Sequence, residues 1–262
     1  MHNACTNMPG EHAKPQASKN TLSRKIGVIE LRNYVTKPGL RDSFIHYFEE
    51  NFVQSQESLG GFLLGRYRIK GEEDHFCWIR GFENMQSRSQ FLPSFYNGTF
   101  WKEHRSVANS MLANNDNVYL LRPMVLQQDS LKPVPYVDSR SLLPRPGIAV
   151  IRLYIANTKL PKLMTLFAKE YLSLLRECGF RDYSIWTSEM EPNTFPQLPV
   201  FQDPNLMVLI SFFPNESEYN TVMHLIEKRL PPNLLLELND TITLSSTWYL
   251  YPTAKSLNSF PK

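Results

Sequence analysis

Apolar and polar positions along this chain alternate with two different periods. Gly27-Val-Ile-Glu-Leu-Arg-Asn-Tyr-Val35 alternates every second residue, with Ile29, Leu31 and Asn33 on one side and Val28, Glu30, Arg32 and Tyr34 on the other, as a strand does. After a turn at Pro38-Gly39, Leu40, Phe44, Tyr47, Phe48 and Phe52 fall at helical spacing over 40–58, and Gly60-Gly61 supplies a helix stop. Residues 62–69 and 75–82 read as two further strands around a polar turn at 71–74. Residues 84–112 read as helical in two pieces, divided at Pro93 and Gly98, before Asn114-Asn-Asp-Asn117 turns the chain into a fourth strand, 118–122. The order β-α-β-β-α-β predicts an α+β, ferredoxin-like unit: one antiparallel sheet with two helices on one face.

The same landmarks return about 120 residues later. Ile148-Ala-Val-Ile-Arg-Leu-Tyr154 echoes Ile26-Gly-Val-Ile-Glu-Leu-Arg32, Gly179-Phe180 echoes Gly61-Phe62, and Trp248-Tyr-Leu-Tyr-Pro252 echoes Val118-Tyr-Leu-Leu-Arg-Pro123. Five prolines between 123 and 146 mark an extended connection. The expected organisation is a disordered tail at 1–25, a first repeat at 26–123, a Pro-rich linker at 124–146, a diverged second repeat at 147–252 and a tail at 253–262. The second copy also carries an insertion, 189–203, that lengthens one hairpin.

A four-stranded sheet with helices on one face leaves the other face open, and an apolar open face must be covered. Pairing the two sheets within one chain into a dimeric-type α/β barrel is the simplest cover, with further homodimerisation left open. Parity then divides the first repeat into two sets. Ile29, Leu31, Cys77 and Ile79 are expected to face the helices. Glu30, Arg32, Tyr34, Phe76, Trp78, Arg80 and Phe82 are expected to face the barrel, with Arg152, Tyr154, Met207, Leu209, Ser211 and Phe213 as their second-copy counterparts. Aromatic walls with a few charges are the composition of a small-molecule pocket. Alternatively, Glu30, Arg32 and Arg80 form a structural ion-pair network or sit at a wet rim.

Charge narrows the partners. Lys and Arg number 28 against 25 Asp and Glu, spread along the chain, so no nucleic-acid partner follows. No apolar run is long enough for a membrane helix, and 1–25 lacks the apolar core of a secretory signal, so a soluble, cytoplasmic protein is expected. Cys5, Cys77 and Cys178 are too far apart for metal-ligand spacing and odd in number, which fits reduced thiols.

The densest chemistry lies in Asn97-Gly-Thr-Phe-Trp-Lys-Glu-His-Arg-Ser-Val-Ala-Asn109. Trp101, His104, Arg105 and Ala108 share one helical face, and Thr99 is placed to cap the helix. His104 beside Arg105 suits a base or a ligand, and these two are the candidate catalytic residues. Trp101 joins the candidate pocket residues Glu30, Arg32, Tyr34, Trp78 and Arg80. The histidines show no zinc spacing, and neither nucleophile-elbow nor phosphate-loop motifs occur. No cofactor is therefore predicted, with haem ligated by His104 as the alternative.

Glu30-Leu-Arg-Asn-Tyr34, Lys37-Pro-Gly39, Gly61-Phe62, Phe95-Tyr96, Trp101-Lys-Glu-His-Arg105, Ala108-Asn109 and Asp116-Asn-Val-Tyr-Leu-Leu-Arg-Pro123 together resemble a NIPSNAP domain over 26–123. The second copy is similar only at its strands and Gly-Phe turn. It has Pro231-Pro232 where the Trp-x-x-His-Arg helix would be, which argues against a second site. The resemblance implies a ferredoxin-like fold that pairs through its sheets, and it supplies no agreed reaction. Some animal relatives are mitochondrial and linked to vesicle traffic or mitophagy signalling. Related barrels include cofactor-independent monooxygenases of aromatic or quinol substrates, and haem-dependent members.

The functional expectation is a protein that binds a small aromatic or anionic molecule in the barrel. Arg32 and Arg80 would hold its charge, and Trp78 and Tyr34 would stack on it. A cofactor-independent monooxygenase acting on a quinol-like substrate, and a non-catalytic interaction module, are the alternatives.

Overall fold

Eight strands close on themselves in the computed structural model, which describes residues 23–157 and 160–258. They are β1 (Val28–Thr36), β2 (Phe62–Ile69), β3 (His75–Phe82), β4 (Val118–Gln127), β5 (Ile148–Ala156), β6 (Tyr183–Ser188), β7 (Leu206–Phe213) and β8 (Ile242–Pro252). Each repeat contributes four strands, in the orders β4-β1-β3-β2 and β8-β5-β7-β6. The repeats join at two seams. β2 pairs with β8 from Ile69↔Leu250 to Tyr67↔Pro252, and β4 pairs with β6 from Met124↔Ile185 to Leu121↔Ser188. All these pairings are antiparallel, so the eight barrel strands have no free edge. The expected tandem, barrel-forming architecture is the one observed.

Helices cover the outside of the barrel. The first repeat supplies α1 (Arg41–Glu57), α2 (Met85–Tyr96) and α3 (Thr99–Ser110). In the second, α4 (Leu160–Leu166) continues through a π turn, Phe167–Tyr171, into α5 (Leu172–Glu177), and α6 (Glu216–Arg229) and α7 (Pro232–Thr241) follow. Asn84 and Asn215 hold equivalent places at the starts of α2 and α6, where each side-chain carbonyl accepts a first-turn amide. Thr99 does not cap α3. Gly98 is the cap residue and Thr99 the first helical one.

Three apolar layers result. The barrel interior holds Ile29, Leu31, Cys77, Ile79, Ile151, Leu153, Val208 and Ile210 from both repeats, with Trp186. The first helix layer packs Phe44, Phe48, Phe52, Phe91 and Phe95 on Tyr34, Phe76, Trp78 and Phe82. The second packs Leu163, Phe167, Tyr171 and Ile226 on Tyr154, Met207, Leu209 and Phe213. Strand parity is therefore as expected, but the faces are exchanged. Glu30, Arg32, Tyr34, Trp78 and Arg80 face the helices, and the purely apolar set fills the barrel. The closed interior offers no partner for a charge, whereas the helix layer brings its own polar groups.

The connection between repeats is built into the structure. β4 turns at Gln128-Asp129, both at positive φ (45° and 56°), into a further strand, Ser130–Pro133. Val137–Asp138 then pairs with Lys25–Ile26. Most of the expected disordered tail, residues 1–22, lies outside the described residues. At the other end, a segment expected to be a tail forms α8 (Ala254–Asn258), where the Ser256 hydroxyl accepts the Arg66 amide at 3.1 Å. Among the described residues no helix is long and apolar enough to cross a membrane.

Candidate functional site

A cavity of about 380 Å³ lies between the first repeat's sheet and its helices. Its floor is Tyr34 and Trp78, its walls come from α1 and α2, and Trp101, Arg105, Ala108 and Asn109 of α3 close one side. The helix with the densest sequence chemistry thus reaches the cavity because the cavity lies on the helix side of the sheet. Aromatic packing builds the walls. Trp78 lies 4.8 Å from Phe48 between ring centres and edge-on to Tyr34 at 5.6 Å. Trp101 packs on Tyr96 at 5.1 Å and Phe52 at 5.5 Å. Offset and edge-to-face rings of this kind hold their positions beyond what buried area alone gives.

The second repeat supplies the cover. Its inserted hairpin places Phe195, Gln197 and Leu198 on the cavity, and Phe195 stacks on Tyr96 at 5.8 Å and 29°. Asn193 pins this hairpin, donating from Nδ2 to the Leu198 carbonyl at 2.8 Å.

Behind the floor sits one carboxylate among three guanidiniums, all fully buried. Glu30 Oε2 accepts from Arg32 Nη1 at 2.7 Å and from Arg80 Nε and Nη2 at 2.9 and 2.5 Å, while Oε1 accepts from Arg88 Nε at 2.8 Å. Gln56, which lines the cavity, accepts from Arg80 Nη1 at 2.7 Å, and Asn193 accepts from Arg88 Nη1 at 3.0 Å. Arg32 Nε donates to the Tyr34 hydroxyl at 3.0 Å. The guanidinium of Arg80 also lies 5.3 Å from the Trp78 ring centre and 5.9 Å from that of Tyr96.

Burial opposes the charge on Glu30, but Arg80, Arg32 and Arg88 together outweigh it and hold the carboxyl well below the usual carboxylate range. Burial likewise pushes the Tyr34 phenol up to about 12, against the pull of Arg32. Three cations against one anion leave the cluster positive. Three buried donors, Arg32 Nη2, Arg88 Nη2 and Trp78 Nε1, have no hydrogen-bond partner among the described residues.

Of the residues singled out from sequence, Tyr34, Trp78, Trp101 and Arg105 line the cavity, and Glu30, Arg32 and Arg80 form the ionic layer behind it. His104 is not a lining residue. Its Nδ1 shares a 2.7 Å hydrogen bond with the Tyr47 hydroxyl, and its ring stacks on exposed Phe100 at 4.3 Å. Arg88, Gln56 and Asn193 escaped the sequence reading. Arg88 had a signal: it shares a helical stripe with Phe91, Leu92 and Phe95, so it is a cation on an apolar face. Asn193 had none, because only the fold brings the hairpin across to the other repeat. Among the described residues no group of three or more His, Cys, Asp or Glu side chains could hold a metal ion.

No protein-family model matches this chain, and no curated protein does. Solved structures do. A protein of Fusobacterium nucleatum, provisionally described as a monooxygenase, is similar over 87% of this chain and 92% of its own at 10% identity, with a TM-score of 0.55. An anthrone oxidase-like protein is similar over 87% of this chain and 91% of its own, again at 10% identity, with a TM-score of 0.52. The fold is a ferredoxin-like α/β barrel. NIPSNAP-family proteins are also among the similar structures. One from Agrobacterium tumefaciens covers 42% of this chain and 96% of its own, at 15% identity and a TM-score of 0.36.

Proposed function

We propose that the first repeat binds a flat aromatic molecule carrying an acidic hydroxyl or a carboxylate, in the cavity between barrel and helices. The supporting observation is an aromatic cavity backed by a buried cluster with surplus positive charge, where the indole N–H of Trp78 is a donor without a partner among the described residues. Aromatic walls take the rings, and the field behind them favours the ionised form of a weak acid. Arg105, exposed at the mouth, has no ion-pair partner among the described residues and adds a second attraction for an anion. The test is quenching of tryptophan fluorescence by 2-naphthoate, with neutral 2-methylnaphthalene as control. Binding of the anion at least tenfold tighter than the neutral analogue is expected. Equal affinities, or no quenching, would overturn the reading.

A second reading is favoured by the similar barrels described as monooxygenase and oxidase. An ionised hydroxyarene or enol is electron-rich enough to react with dioxygen directly. In such a reaction an activated ring methylene becomes a carbonyl, with the second oxygen atom leaving as water. Among the described residues no His, Asp or Glu lines the cavity. Deprotonation would therefore depend on the positive field lowering the ligand's own pKa, with His104 and Tyr47 acting from behind the aromatic wall at most. Dioxygen uptake with a panel of quinols and anthrones tests it, and uptake at background would remove catalysis while leaving binding to be judged separately. Haem ligated by His104 would have to bind outside this cavity, through Nε2, since His104 does not line it and its Nδ1 is engaged by Tyr47. A Soret band on haem addition that is lost in His104→Ala would support it.

A further inference from the structure

The second repeat has a cavity of its own in the equivalent place. It occupies about 310 Å³ between the outer face of β5 and β8, the π turn Phe167–Tyr171, and the helices α6 and α7. Strand register identifies the replacements. Arg32 pairs across to Trp78 and Tyr34 to Phe76 in the first repeat. Arg152 pairs across to Leu209 and Tyr154 to Met207 in the second, so Arg152 and Tyr154 keep the places of Arg32 and Tyr34. The pair Glu30 and Arg80 is replaced by Val150 and Ser211, and, counted from the capping Asn84 and Asn215, Arg88 is replaced by Tyr219. The four-member ionic cluster has therefore become a single guanidinium among apolar groups.

That guanidinium has no carboxylate partner among the described residues. Arg152 Nη1 makes one long hydrogen bond, 3.4 Å to the Tyr171 hydroxyl, and one contact of 3.7 Å to Met223 Sδ. The Tyr154 hydroxyl, also on the cavity wall, is buried and has no hydrogen-bond partner among the described residues, and Tyr154 is only 3% exposed. A charge left without a counter-charge in a largely apolar recess is unfavourable unless something neutralises it. The π turn Phe167–Tyr171 supplies two of the wall residues, and π turns recur at functional sites because they re-aim side chains. The rest of the wall is mostly aliphatic, including Ile226, Leu230 and Leu238, and Leu235 at its edge is 45% exposed. The acidic group on this wall is Glu227, exposed on α6 and paired with His224.

We infer that this cavity is a second binding site, for a medium-chain aliphatic monocarboxylate. The carboxylate takes two hydrogen bonds from Arg152 and one from the Tyr154 hydroxyl, and the chain lies along Ile226, Leu230 and Leu238. The contrast with the first repeat is chemical: aliphatic walls and one cation here, aromatic walls and a buried cluster there. Glu227 at the mouth repels a second negative charge, so dicarboxylates are excluded.

The test uses the full chain and isothermal titration calorimetry with decanoate, decanol and sebacate. Wild type is expected to bind decanoate at least tenfold more tightly than either of the others. Arg152→Met should lose at least tenfold in decanoate affinity and keep its 2-naphthoate response in the first cavity. That variant folds, because an apolar side chain in an apolar recess removes an unpaired charge. Tyr154→Phe should lose a few-fold, and Leu238→Trp, which fills the cavity, should abolish binding. No decanoate heat with wild type, or unchanged decanoate affinity in Arg152→Met, would overturn the site. Decanol binding as tightly as decanoate would reduce it to an apolar crevice and overturn it equally.

Discussion

Arg88 and Asn193 stand 105 positions apart, in different repeats, yet Arg88 Nη1 donates to the Asn193 side-chain carbonyl at 3.0 Å. The bond ties the cationic cluster of the first repeat to the hairpin that the second lays over its cavity. Asn193 also holds that hairpin in shape through Leu198. Cover and charge are thus one assembly, and the cavity takes lining residues from both repeats.

Asn193→Ala removes both roles at once. A hydrogen bond to a charged group contributes about 1.5–3 kcal/mol, so a roughly tenfold loss of 2-naphthoate affinity is expected. It should appear in the dissociation rate, with association little changed, as stopped-flow fluorescence would show. An unchanged dissociation rate would separate the hairpin from the site.

Trp101→Ala and His104→Ala distinguish the cavity from the helix that carries both residues. Trp101 lines the cavity and His104 does not. Removing the indole should weaken 2-naphthoate at least tenfold, and removing the imidazole should leave affinity within about threefold, since aromatic contacts of this kind contribute about 0.5–1.5 kcal/mol beyond buried area. The reverse order would return His104 to the centre of the site.

Glu30→Gln leaves three guanidiniums facing one another without a counter-charge. Breaking a buried ion pair in this way costs about 3–5 kcal/mol, read as a lower midpoint in chemical denaturation. The acid limb should change as well. Glu30 has a folded pKa depressed below its unfolded value of about 4.3, so the stability it contributes is present above that pH and is lost as pH falls towards the folded value. The decline below about pH 4.3 should be shallower in Glu30→Gln. An identical slope in both proteins would show that the cluster does not couple to folding.

The alkaline limb has the opposite sign. Burial pushes Tyr34 and Tyr219 up to about 12, each against an arginine, Arg32 and Arg152 respectively. A folded pKa raised above the unfolded value of about 10 gives stability that is full below pH 10 and lost as pH rises through the folded values. Phenolate absorbance should therefore lag behind that of model tyrosine between about pH 10 and 12 and rise together with unfolding.

The two-residue turn at Gln128-Asp129 has both residues at positive φ, the type I′ geometry that Asn-Gly satisfies best. Replacing the pair by Asn-Gly should raise stability by about 1 kcal/mol, seen as a higher melting temperature with ligand binding unchanged. A lower melting temperature would contradict the assigned turn.

Much of this was legible in the chain. Period-two alternation located β1, the helical stripe from Phe44 to Phe52 located α1, and the echo of Ile26–Arg32 in Ile148–Tyr154 located β5 and declared the duplication. These are local signals, set by the geometry of strand and helix. Alternation also sorted β1 correctly into Ile29/Leu31 and Glu30/Arg32 sets. It could not say which set meets the helices, because both faces of β1 and β7 are buried. Only closure of the barrel decided that. Its interior is shared by two sheets with no helix to bring a polar partner, so it accepts Ile29, Leu31, Ile151 and Ile210 and rejects charge. Glu30 and its arginines go outward, where Gln56 and Arg88 on helices and Asn193 on the other repeat's hairpin complete their hydrogen bonds.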